Sequence, residues 1–149
     1  MEYKNINHCS YLEYTNEEKY ELVYNLAFKK AYAPYSKFPV GALIIFEDGS
    51  YQIGFNIENV SYGLTICAER SAIFSALVNG YDLSQAKEIV IIGDSTNPIS
   101  PCGACRQVMS EFFDLDIKIT LFNLKKQLKT TSLKELLPYS IGKGDMFDI

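Results

Sequence analysis

Three of the chain's four cysteines fall in two short motifs, Cys67-Ala68-Glu69-Arg70 and Pro101-Cys102-Gly103-Ala104-Cys105-Arg106-Gln107, with Cys102 35 positions after Cys67. A Cys-x-x-Cys pair can reach one zinc ion, and a third thiolate must then arrive from a distant part of the chain. This requirement constrains the fold strongly, because Cys67 has to end beside Cys102 and Cys105. The remaining soft or imidazole donors are His8 and Cys9, both near a terminus. The fourth position is therefore left to water, with Glu69 two residues from the first ligand. An open metal position beside a carboxylate is what a hydrolase needs to make water nucleophilic. The competing readings are a redox-active Cys102/Cys105 pair, unrelated buried thiols, and a structural site closed by Cys9.

Local signals place these motifs in an α/β domain with a mixed five-stranded sheet. Thr15 and Glu18 form a capping box ahead of Tyr20, Val23, Tyr24, Ala27 and Ala31 at helical spacing. A first helix is thus expected over about 16–32, stopped by Pro34. The apolar run 40–46, the turn at Asp48-Gly49 and the return over 51–56 read as an antiparallel hairpin. Further helices are expected over 67–78 and 102–113, and strands over 88–93 and 117–122, these two parallel through the intervening helix. A fifth strand over 128–130 pairs antiparallel with the fourth, because residues 123–126 are too few for a crossover. A short helix over 133–137 ends at Pro138, and residues 139–149 read as a tail with a flexible turn at Gly142-Lys143-Gly144. Residues 1–14 are expected to be a loosely packed leader and 15–149 the single domain.

The helix starts matter for the chemistry. Cys67, Glu69 and Cys102 all fall at helix N-termini, where free amide N–H groups and the helix dipole favour thiolate and carboxylate. Alternation puts Asn56 and Glu58 on one face if the strand continues, an amide and a carboxylate spaced to share vicinal sugar hydroxyls. Phe38, at one end of the hairpin, is expected either to stack on a ring at the site mouth or to pack into the core.

Charge and composition exclude several classes. The net charge of -4 is carried with scattered basic residues, which disfavours a nucleic acid polymer as ligand. No stretch approaches the roughly 20 apolar residues of a membrane span, so no membrane partner is expected. A single histidine leaves no histidine-based triad, and neither Gly-x-Gly-x-x-Gly nor a Walker A motif occurs. With cysteines assigned to metal rather than disulfides, the cytoplasm is the expected compartment.

Taken together, Tyr-Ala-Pro-Tyr-Ser-Lys-Phe at 32–38, Val-Gly-Ala at 40–42, Asn-Ile-Glu-Asn at 56–59 and the two cysteine motifs have a specific order and spacing. Across roughly residues 14–147 the chain resembles the small, homotetrameric, zinc-dependent cytidine deaminases. The resemblance implies a cytidine deaminase-like three-layer fold and hydrolytic deamination of cytidine and deoxycytidine to uridine and deoxyuridine. Ammonia is released after zinc-activated water attacks C4. It further implies one zinc per subunit, held by Cys67, Cys102 and Cys105, with Glu69 shuttling protons. Phe38 would pack on the pyrimidine, Asn56 and Glu58 would hold the ribose, and the backbone at Ala68 and Ser100 would recognise the base. Tyr62 would come from a neighbouring subunit, as in a homotetramer with shared active sites around a small-molecule nucleoside.

Arg70 would donate to thiolate sulfur and reduce the electron density on the metal. Arg106 is expected either to share that task or to make a surface salt bridge. One position departs from the bacterial members of the family: three residues beyond Pro138, where they usually place Phe, this chain has Ile141. An aliphatic side chain fills volume without the ring contact. The alternatives are a deaminase of another aminopyrimidine, a nucleic-acid editing enzyme and a purely structural zinc module. Scattered basic charge weighs against the second, and Glu69 would have no proton to carry in the third.

Overall fold

Apolar runs buried on both faces build the centre of a five-stranded sheet made of β1 (Val40–Phe46), β2 (Tyr51–Phe55), β3 (Ala86–Gly93), β4 (Lys118–Asn123) and β5 (Leu128–Ser132). The computed structural model describes residues 13–149; His8, Cys9 and most of the expected leader lie outside the described residues. The sheet order is β2-β1-β3-β4-β5, with β3 and β4 parallel and every other neighbouring pair antiparallel. The helices are α1 (Asn16–Leu26), α2 (Ala68–Val78), α3 (Gly103–Phe112), α4 (Leu133–Leu136) and α5 (Lys143–Met146).

The period of two along the strands sorts the core into two halves. Ala42, Ile44, Ile89, Ile91, Ile119 and Leu121 pack with Ala72, Ile73 of α2 and Met109 of α3. Leu43, Ile45, Val90, Ile92 and Phe122 pack on the opposite face with Tyr20 and Val23 of α1. The result is the expected three-layer arrangement. α1 is also fastened by a buried ion pair: Lys19 Nζ lies 2.9 Å from Glu88 Oε1 on β3, and Lys118 Nζ lies 3.3 Å from the same oxygen. Removing one member would leave an uncompensated buried charge.

The Thr15/Glu18 capping box forms as expected, but α1 ends at Leu26 rather than near residue 32. Beyond a single 3-10 turn at Phe28–Lys30, Tyr32 is drawn into extended pairing: its N–H donates to Asn56 O and its carbonyl accepts from Glu58 N–H. Those tertiary bonds outweigh the helical spacing of Ala31. Tyr14, assigned to the leader, is instead buried, and its hydroxyl donates to Gly49 O at 2.6 Å. β5 runs on to Ser132, and the expected flexible turn at 142–144 is the start of α5, where Asp145 Oδ2 accepts from Gly142 N–H at 2.6 Å.

Register decides where a site can form. Val40 is opposite Gly93, and Gly41 is opposite Phe55. Phe38, Asn56 and the loop leaving β3 therefore meet at one end of the sheet, the end at which parallel strands seat ligands. Close approach of α2 to this end depends on Gly54, where a Cβ would be driven into the backbone of Ala68 and Ala72. No described helix is long and apolar enough to cross a membrane.

Candidate active site

Two helix starts deliver the thiols. Cys67 is the N-cap of α2 and Cys102 the N-cap of α3, each with extended backbone, and Cys105 follows within the first turn of α3. Cys105 N–H donates to Cys102 Sγ at 3.5 Å, so a sulfur occupies the place that a capping oxygen usually takes. The three Sγ atoms lie within 4.8 Å of one another, and Cys67 Sγ is 3.8 Å from Cys102 Sγ. A tetrahedral zinc with Zn–S distances of about 2.3 Å requires sulfurs about 3.8 Å apart. The donor set fits zinc in type, number and spacing, and three sulfurs leave one tetrahedral position for water.

Charge around the thiols is already arranged for a thiolate. Arg70 donates through Nη2 to Cys67 Sγ at 3.5 Å. The Cys67 thiol is lowered to about 5, chiefly by its hydrogen bond with Cys105 and, against the cost of burial, by Arg70. The same pairing with Cys67, together with burial, pushes the Cys105 thiol up. Glu69 is 5% exposed. Burial raises its carboxyl above the ordinary glutamate value, and a hydrogen bond from Cys105 only partly opposes this. A carboxyl so placed keeps its proton more readily than an exposed glutamate and can pass it to a neighbouring group.

The second cluster lies beside the first. Ile57 exchanges both backbone hydrogen bonds with Ile66, the residue before Cys67. Asn56 and Glu58 flank Ile57 and are both buried. Asn56 Oδ1 accepts from Val40 N–H and its Nδ2 donates to Phe38 O, each at 2.9 Å. Glu58 Oε1 accepts from Tyr35 N–H at 2.9 Å and Ser36 N–H at 3.0 Å. Burial would raise the Glu58 carboxyl, but these bonds and the Ser36 hydroxyl outweigh it and hold it below the ordinary value. The pair therefore shapes the turn that carries Phe38, a job that sequence spacing does not reveal. An amide and a carboxylate each retain capacity for a further hydrogen bond.

The other expected residues are spread around this end. Ala68 is fully buried at the start of α2, and Ser100 stands exposed before Cys102. Phe38 is 38% exposed, Tyr62 57% and Ile141 51%. Arg106 directs its donors to Ser100 Oγ and to the carbonyls of Pro101 and Leu136 rather than to sulfur. Gly54 was not singled out by its sequence context. A lone glycine within an alternating strand, signalling close backbone approach, is the cue that could have identified it.

Residues 14–120 match the family model described as the cytidine and deoxycytidylate deaminase zinc-binding region. The chain is 45% identical over 120 residues to a cytidine deaminase of Sporosarcina psychrophila, covering 80% of this chain and 87% of that one. It is 47% identical over 118 residues to a cytidine deaminase of Halalkalibacterium halodurans, covering 79% and 88% respectively. The crystal structure of cytidine deaminase from Burkholderia pseudomallei superposes with a TM-score of 0.82 at 43% identity, covering 86% of this chain and 100% of that one.

Proposed function

Because the chain belongs to the cytidine and deoxycytidylate deaminase zinc-binding family, we propose that it hydrolyses cytidine and deoxycytidine to uridine and deoxyuridine, with release of ammonia. The observation that carries this reading is the convergence of three cysteine sulfurs within 4.8 Å beside the buried Glu69. Cys67, Cys102 and Cys105 would hold zinc, which when bound supplies a Lewis acid that lowers the pKa of water toward neutrality.

The remaining steps belong to the chain's own residues. Glu69 takes a proton from the attacking water and delivers it to N3 of the pyrimidine as the C4–O bond forms. It then carries the second proton to the 4-amino group as the C4–N bond breaks, so water and cytidine leave as uridine and ammonia. Arg70, donating to Cys67, offsets the negative charge of the sulfur cluster. Asn56 and Glu58 hold the sugar hydroxyls while positioning the Phe38 turn against the base. Backbone groups at Ala68 and Ser100 orient the ring.

Tyr62 and Ile141 are assigned to pockets of neighbouring copies in a homotetramer. Their exposure, with that of Met146, Phe147 and Ile149, supports a surface buried between chains. Ile141→Asp should then separate subunits by light scattering and abolish turnover while zinc is retained; a fully active wild-type monomer would refute the shared site. The reading places the enzyme in the cytoplasm, returning free pyrimidine nucleosides for reuse. An ammonia-release screen over cytidine, deoxycytidine, cytosine, CMP and adenosine tests the substrate assignment. Turnover of both cytidine nucleosides, with little from the other three, is expected. A preference for CMP or adenosine would overturn it.

A further inference from the structure

Arg106 joins the Ser100–Pro101 turn just ahead of its own helix to Leu136, 30 positions further along the chain. Its Nε donates to Pro101 O at 2.8 Å, its Nη1 to Leu136 O at 2.7 Å and its Nη2 to Ser100 Oγ at 2.9 Å. Among the described residues no carboxylate lies within ion-pair distance of it. Leu136 lies in the last turn of α4, where carbonyls lack partners within the helix, and Pro138 cannot prolong it. A guanidinium, with five donors in a rigid planar fork, can bind all three acceptors at once; an ammonium group of equal charge cannot reproduce that span.

Neighbouring bonds strengthen the connection. The next residue of α3, Gln107, donates through Nε2 to Ile141 O at 3.2 Å. Consecutive residues of α3 thus serve the thiol cluster through Cys105, the turn before α3 through Arg106 and the C-terminal segment through Gln107. Upstream, the loop from β3 is held by Asn123 Nδ2 donating to Thr96 O at 3.0 Å, and by Ile99 lying over Gly93. Arg106 holds the downstream part, where Ser100 sits.

We propose that Arg106 is a positioning residue for the base-binding edge: its guanidinium fastens the Ser100–Pro101 turn to the end of α4, so that the C-terminal segment sets where Ser100 meets the substrate. This rests on the assignment of Ser100 to that edge made above. Charge compensation at the thiols is not its role, because its donors go to neutral oxygens.

Steady-state kinetics with cytidine and zinc content, measured for Arg106→Lys, Arg106→Gln, Ser100→Ala and the Ser100→Ala/Arg106→Gln double variant, test it. Both Arg106 variants should raise KM about tenfold, with kcat within about threefold of wild type and zinc retained. The double variant should be no worse than Arg106→Gln, because the two side chains act as a unit. Full rescue by lysine, a fall in kcat at constant KM, loss of zinc from a folded variant or strictly additive effects would each overturn the proposal. If the Arg106 variants do not fold, Ser100→Ala decides: a raised KM supports the proposal and an unchanged KM overturns it. A wild type inactive on cytidine would refute the functional reading instead. Amide exchange over residues 137–141 would then decide the mechanical claim, faster in Arg106→Gln if it is correct and unaltered if it is wrong.

Discussion

Arg70 reaches back one turn along α2 to place Nη2 3.5 Å from Cys67 Sγ. The i to i+3 spacing makes this contact possible from a single helix, so the metal motif carries its own counter-charge. Outer partners of metal ligands commonly change affinity or activity by about 10–100-fold when removed. Arg70→Ala should therefore lose zinc to a competing chelator at a concentration lower by about that factor. Arg70→Lys should recover only part of the difference.

The thiols should also differ in reactivity once zinc is stripped. Cys67 is lowered to about 5, first by its hydrogen bond with Cys105, while Cys105 is raised. A depressed value means that folding favours the Cys67 thiolate. The associated stability is present above the unfolded thiol value and is lost as pH falls through about 5. Alkylation of the chelated protein at pH about 7, read by mass spectrometry, should label Cys67 before Cys105. The reverse order would contradict the charge arrangement.

At Gly54 the fold and the site depend on the same missing atom. Gly54→Ala would push α2 away from β2, because the new Cβ meets the backbone of Ala68 and Ala72. Overpacking of this kind costs about 1–3 kcal/mol, and α2 carries Cys67 and Glu69 with it. Thermal unfolding should show a lower Tm, accompanied by weaker zinc retention. An unchanged Tm would mean that α2 can shift without cost.

Asn56 and Glu58 hold the turn that carries Phe38, and the proposed function gives them the sugar as a second load. Alanine at either position should reduce cytidine kcat/KM at least about tenfold more than that of free cytosine, because only the nucleoside offers hydroxyls. Equal proportional losses would leave them with the turn alone. The depressed Glu58 carboxyl adds a pH signature: its contribution is present above the unfolded glutamate value and is lost as pH falls through the lower folded value. Amide protection at Tyr35 and Ser36 should therefore survive at the ordinary glutamate value and fail below it.

Those two residues also mark the limit of what the sequence reveals. Caps, turns and strand alternation are local, so Thr15 with Glu18, Asp48-Gly49 and the helix starts at the cysteines could be read directly. The convergence of the three thiols was legible because metal chemistry links Cys67 to the Cys102/Cys105 pair whatever lies between them. Asn56 and Glu58 could be placed on one face, but their grip on residues 35–40 depends on the pairing of Tyr32 with Asn56 and Glu58. That pairing also ends α1 early, against its apparent period. The Arg106 bond to Leu136 O spans 30 positions, and no local pattern announces it.

Zinc content and cytidine turnover, measured on the same preparations of the wild-type and Glu69→Gln proteins, test the central claim most directly. Glutamine keeps the size of the buried side chain and removes its titratable proton. Both proteins should hold one zinc per chain, and the wild type should form uridine and ammonia in equal amounts. The variant should be slower by at least about 10²–10⁴-fold, the contribution of general acid–base catalysis. A zinc-loaded Glu69→Gln protein that deaminates cytidine within about tenfold of the wild type would show that another group carries the proton.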